Sequence, residues 1–166
     1  MPSPIWNEPP AGRTIGVVGD VYRFLATGAE SEGRYALMEA LVPPGGGPPP
    51  HVHTREIESF YVIDGEITFS LGDDLPTLRK QTGRAGTFVS IPIGTLHAFK
   101  NESDSQAKML IWVAPAGLEQ MFFECGTPLS EGTTTAASPT HEEIEKLLQV
   151  APRYGVEIRV PEVETS

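Results

Sequence analysis

The chain has 166 residues and a single cysteine, Cys125, so it is long enough to bury one sizeable core and holds no internal disulfide framework. Twelve Lys and Arg stand against 22 Asp and Glu, a formal charge of −10, which repels a phosphate backbone and an anionic membrane surface alike. No run of about 18 apolar residues occurs, and the expectation is a cytoplasmic protein with a small-molecule substrate and neither nucleic acid nor membrane as partner.

The first residues, MPSPIWNEPPAG, have neither the basic segment nor the apolar stretch of an export leader. Strand-like runs rich in β-branched and aromatic residues follow: Tyr22 to Leu25, Tyr35 to Val42, Phe60 to Ile63, Glu66 to Leu71, Thr87 to Ile91 and Met109 to Val113. The chain's 16 prolines and 17 glycines sit largely between such runs, where they end strands and make turns, so the pattern is all-β. Between FYVI and EITF, Asp64-Gly65 suits a type I′ turn and predicts a hairpin joining those two strands.

Two stretches read as helical. From Gly117 to Glu124, Leu118, Met121 and Phe122 recur at spacings of three and four. Farther on, Thr140 and Glu143 form a capping box ahead of Ile144, Leu147 and Leu148, in a helix that stops before Pro152. The polar segment CGTPLSEGTTTAASP between them reads as a mobile surface connection, and Tyr154-Gly155-Val156 as a strand. Glu142, Glu143, Glu145, Glu157, Glu162 and Glu164 read as solvated, and His141 as an exposed first-turn residue. No repeat or shift of composition divides the chain. The expectation is one domain, 1–166, with a barrel core over about 14–115 and a helical segment and tail over about 117–166.

Three of the four histidines lie in two segments of regular spacing. In GGGPPPHVHTREIESFYVIDG, Gly45 precedes His51 by five intervening residues, His53 follows, then Glu58 after four more and Gly65 after six. In GTFVSIPIGTLHAFKN, Gly86 leads after five residues to Pro92, then Gly94, then His97 after two and Asn101 after three. Two histidines at i and i+2 of a strand share a face, with α-carbons roughly 6.5–7 Å apart, so their imidazoles converge. Glu58 is expected on the adjacent strand. Pro92 and Gly94 suit positions i+1 and i+3 of a type I turn that aims His97 inward. Three nitrogens and one carboxylate oxygen suit a single first-row divalent ion: Fe, Mn, Ni, Co, Cu or Zn.

Together the two segments resemble the two motifs of the cupin superfamily, over Gly45 to Asn101. The resemblance implies a double-stranded β-helix, a jelly-roll barrel, with His51, His53, Glu58 and His97 as metal ligands and the glycines, Pro92 and Asn101 as architecture. The phrase ESFYVIDGEITF, with the helical tail and the Tyr154-Gly155-Val156 strand, is similar to small microbial cupins of the quercetin (flavonol) 2,3-dioxygenase-like type. That similarity implies a metal-dependent dioxygenase in which Glu58 is at once a ligand and the acceptor of a substrate hydroxyl proton, or else a plain structural ligand. Phe60 and Val62 share Glu58's side of its strand and Phe99 alternates with His97, which gives an apolar pocket suited to an aromatic or enolisable molecule. A metal-dependent isomerase or lyase acting on a small polar substrate is the alternative, as is a metal-holding binder that turns nothing over. Cys125 reads as a small apolar residue. Segments before Gly33 that lengthen a sheet suggest a homodimer.

Overall fold

Alternation along the strands decides the architecture. In β3 (Ala36–Val42) every second residue, Ala36, Met38, Ala40 and Val42, is buried, and β10 (Ala107–Ala114) does the same with Ala107, Met109, Ile111 and Val113. Such one-sided strands must lay their apolar faces against another layer. In the computed structural model, which describes residues 3–160, they do so as two antiparallel sheets packed face to face. The acidic tail residues Glu162 and Glu164 lie outside the described residues.

The larger sheet has the order β11-β1-β2-β3-β10-β5-β8, built from β1 (Thr14–Val17), β2 (Asp20–Ala26), β3, β5 (Ile57–Asp64), β8 (Phe88–Ile91), β10 and β11 (Thr127–Leu129). The smaller sheet runs β12-β4-β9-β6-β7, from β4 (His51–His53), β6 (Glu66–Gly72), β7 (Arg79–Arg84), β9 (Leu96–Lys100) and β12 (Val156–Ile158). Two helices, α1 (Glu119–Cys125) and α2 (His141–Val150), follow the last long strand. The architecture is an all-β jelly roll with a short helical C-terminal region; the sequence pattern implied the all-β class and the helices, and the cupin resemblance the jelly roll.

Three expectations need correction. The Asp64-Gly65 pair does not close a hairpin: β5 pairs with β10 and β8, whereas β6 pairs with β7 and β9. Gly65, at φ 76°, instead turns the chain from one sheet into the other, and a Cβ there would press on Ala107. A glycine at positive φ serves such a corner as readily as a tight hairpin. The segment after α1 is not all loose connection, because Thr127–Leu129 pairs with β1 as an edge strand that tolerates Pro128. The turn before His97 is closed by the Thr95 amide on the Pro92 carbonyl, 3.2 Å, so Pro92 opens it and Gly94 holds the third position at φ 84°.

Strand β7, with sequence RKQTGR and only Gly83 buried, carried no apolar signal; it forms because β6 beside it offers a free edge. The capping box of α2 is present as expected, Thr140 Oγ1 accepting from the Glu143 amide at 3.2 Å and Glu143 Oε2 from the Thr140 amide at 2.8 Å. Cys125 is buried, and His141 is exposed and pairs with Glu145.

Candidate metal centre

Strand β4 is only three residues long, yet all three are buried, and it is braced on both sides. His51 and His53 pair with Ile158 and Val156 of β12, and His51 pairs with His97 of β9. The three histidines therefore share the smaller sheet. Glu58 does not lie on an adjacent strand: it sits on β5 of the larger sheet, paired with Val113 and Ile91, and reaches across the interior.

The ring orientations are fixed from behind. The Nδ1 of His51 lies 2.9 Å from the Pro49 carbonyl, that of His97 2.9 Å from the Thr95 carbonyl, and that of His53 2.6 Å from Oε1 of Glu56. A carbonyl oxygen only accepts, so Nδ1 of His51 and His97 must carry the proton, and an ionised Glu56 requires the same of His53. Every Nε2 is then left with a lone pair, and these lone pairs meet. His51 Nε2 and His53 Nε2 are 3.1 Å apart, and Glu58 Oε2 lies 3.0 Å from His53 Nε2 and 2.9 Å from His97 Nε2. The four ligand atoms fall within 4.8 Å of one another, and all four residues are buried.

Four converging acceptors in a buried site repel one another unless a positive charge sits among them. The titration directions express that demand. Burial pushes Glu58 up, but positive charge on His53 and the polar contacts of the three imidazoles hold it well below the usual carboxylate range. Burial pulls His53 down, yet Glu58 and Glu56 carry it the other way, to about 10. In His51, burial prevails and lowers it. A metal ion takes the place of the proton these shifts describe. Three imidazoles and one carboxylate, each anchored from outside, form the donor set of a divalent transition metal ion.

Glu56 was not singled out in the sequence. It is 3% exposed, and with Glu58 it places two buried carboxylates beside the site, enough to balance a doubly charged ion. Its only signal was the acidic residue three positions after His53.

A cavity of about 60 Å³ opens onto the cluster, lined by His51, His53 and Glu58 together with Tyr22, Pro48, Pro49, Phe99, Ile111 and others. Leu118 just ahead of α1, Met121 and Phe122 from α1, Leu147 from α2 and Ile158 from β12 also line it. Of the apolar pocket residues expected from alternation, Phe99 is among the lining residues. Phe60 stands behind it, its ring centroid 5.6 Å from that of Phe99 and 6.4 Å from that of His97, and Val62 is fully buried in the core. Among the described residues, no Lys or Arg lines this cavity.

Comparison with known proteins agrees with this geometry. The family model described as "Cupin domain" matches residues 38–113. Quercetin 2,3-dioxygenase of Aspergillus japonicus is 27% identical over 79% of this chain and 38% of its own length. The Bacillus subtilis enzyme of the same name is 23% identical over 87% of this chain and 41% of its own. The chain thus spans about two fifths of the length of these curated relatives. Among solved structures, a predicted oxalate decarboxylase from Thermotoga maritima superposes with a TM-score of 0.55, at 17% identity, covering 63% of this chain and 92% of that one.

Proposed function

We propose that this chain, an all-β cupin similar to the quercetin 2,3-dioxygenases, is a metal-dependent dioxygenase acting on an aromatic or enolisable small molecule. The observation that carries the reading is the convergence of His51, His53, His97 and Glu58 at the end of a buried cavity whose other walls are mainly apolar. A divalent first-row ion held by these four residues supplies Lewis acidity and, where it is redox-active, electron transfer.

The remaining work falls to the chain. The backbone carbonyls of Pro49 and Thr95 and the Glu56 carboxylate hold the imidazoles in one orientation. Phe99, Ile111 and Leu118 keep bulk water from the reacting atoms, and Phe60 and Val62 support that wall from the core. Glu58 serves as a ligand in this reading and is one candidate to take a substrate hydroxyl proton. Its depressed titration makes it a weak base in that second role.

One observation favours a second reading. A cavity of about 60 Å³ is less than half the volume, roughly 150 Å³, of an engineered apolar cavity that takes a benzene. A flavonol enters only if the helical cover moves, whereas a small substrate of a metal-dependent isomerase or lyase needs less movement. A homodimer located in the cytoplasm completes the proposal.

The test is metal-free protein reloaded separately with Fe(II), Mn(II), Ni(II), Co(II), Cu(II) and Zn(II), with oxygen uptake and flavonol absorbance followed on adding quercetin. Loss of the flavonol band with matching oxygen consumption, abolished in Glu58→Gln, is the expected result. Bound metal without oxygen uptake in any of the six forms moves the assignment to the isomerase, lyase or binding readings.

A further inference from the structure

Among the described residues, the buried acids have evident partners, with one exception. Glu119 accepts from the amides of Gly28 and Gly117 at 2.8 and 2.7 Å, Glu56 holds His53, and Glu58 belongs to the metal cluster. Asp20, the first residue of β2, is 2% exposed, and no basic side chain forms an ion pair with it among the described residues. Its Oδ2 accepts from the Tyr22 hydroxyl at 3.1 Å, while its Oδ1 has no partner of ordinary hydrogen-bond geometry. The glycine-rich turn ahead of β4 lies directly against it, Gly46 leaving no room for a Cβ beside Oδ1. Burial raises the carboxyl to about 7, against the opposing pull of Tyr22 and the Gly47 backbone. A buried acid with one orphaned oxygen is costly, and such groups persist mainly where they have a function.

Tyr22 connects this acid to the metal site. It is 5% exposed, is fixed edge-on against Phe122 at 4.8 Å, and lines the cavity beside His51, His53 and Glu58. Outside the metal quartet, it is the only residue lining that cavity, among the described residues, whose side chain carries an oxygen or nitrogen. The titratable groups that bear on Tyr22, besides Asp20, are Glu58 and Cys125; on Asp20 they are Tyr22 alone, with the Gly46-Gly47 backbone.

We propose that Tyr22 and Asp20 form a proton relay serving the metal site, for a substrate that binds through an acidic hydroxyl group. The inference rests on the reading of the cavity as a site for such molecules. In the step, the substrate O–H bond breaks and its proton joins the Tyr22 oxygen as the Tyr22 hydroxyl proton passes to Asp20 Oδ2. One proton is displaced, tyrosine stays neutral, and the negative charge passes from Asp20 to the substrate oxygen. Protonation of the product runs the same path backwards. The oxygen of Glu58 that faces the site is already shared with His53 and His97, which leaves the Tyr22 hydroxyl as the free acceptor.

Zinc-loaded protein, which tests proton transfer apart from oxygen chemistry, is titrated at about pH 8 with acetohydroxamic acid, a small chelator with an acidic hydroxyl. Calorimetry in buffers of differing ionisation enthalpy gives the protons released per probe bound. The relay predicts nearly none for the wild type and about one for Asp20→Asn and for Tyr22→Phe, with zinc content unchanged. Equal proton counts in all three proteins overturn it. Infrared titration supplies a measurement that needs no ligand: a carboxyl band ionising near neutrality, absent in Asp20→Asn, is expected, and its absence from the wild type overturns the relay. If the zinc form binds no probe, the relay and the acidic-hydroxyl reading fall together; equal counts with quercetin-dependent oxygen uptake intact overturn the relay alone.

Discussion

At the scale of single residues, Glu56 and Asp20 are two buried carboxylates in opposite circumstances. Glu56 is matched to the His53 ring at 2.6 Å, and carboxylates placed behind a ligating histidine typically account for about 10–100-fold in metal affinity. Glu56→Gln should weaken zinc binding by about that factor in a chelator competition, with the fold intact by circular dichroism. His51→Ala combined with His97→Ala should abolish stoichiometric metal binding altogether, as measured by metal analysis after dialysis. Asp20 works against stability. Its folded value of about 7 exceeds the ordinary 3.8, so the folded state holds an extra proton between those limits, and stability falls as pH rises through that window. The full effect is about 4 kcal/mol. Thermal unfolding of Asp20→Asn against wild type should show the variant gaining in relative stability from about pH 4 to pH 7 and no further change above it. The quartet of ligands was legible because the histidines and Glu58 stand at spacings that only a shared site explains. Glu56 was not, since an acid in a polar bend looks like any solvated residue. Asp20 and Tyr22 were not either, because chain folding alone brings β2 beside the turn before β4.

At the scale of elements, α2 shows how lightly the cavity is covered. Only Val150 of its ten residues is buried, while Ile144 and Leu148 remain 39% and 43% exposed. Its hold on the body comes from Val150, from Leu147 at the cavity and from the capping box at Thr140. Elements with so little buried area open first. Thr140→Ala removes the cap at a cost of about 1 kcal/mol, so hydrogen exchange of the α2 amides should quicken about fivefold while that of β3 and β10 stays unchanged. Both helices were legible, since capping and i, i+3, i+4 spacing are local signals. Strands β7 and β11 were not, because RKQTGR and TPL carry no alternation of their own and gain their conformation from the edge beside them. The Asp64-Gly65 corner was misread for the same reason in reverse: a turn signal says that the chain bends, not which sheet receives it.

At the scale of the whole molecule, the outer face of the larger sheet is unusually apolar. Leu110, Tyr61 and Phe88 stand side by side across β10, β5 and β8, with Tyr61 46%, Phe88 64% and Trp112 51% exposed. Faces of this kind mark association sites, and closed two-fold pairing is their commonest form. Light scattering should give twice the mass of the chain, and Phe88→Lys with Trp112→Glu should halve it; a monomeric mass for the wild type removes the homodimer from the proposal. The all-β class was legible from proline and glycine placement, but the division of strands between two sheets was not, because pairing is decided by partners distant in sequence.

The three histidines belong to one sheet and Glu58 to the other. An ion held by all four is therefore a buckle between the two halves of the body, and its hold on the folded state grows with the logarithm of its free concentration. Stripping the ion would free the two sheets to part, so the metal-free chain should melt at a lower temperature than the loaded one.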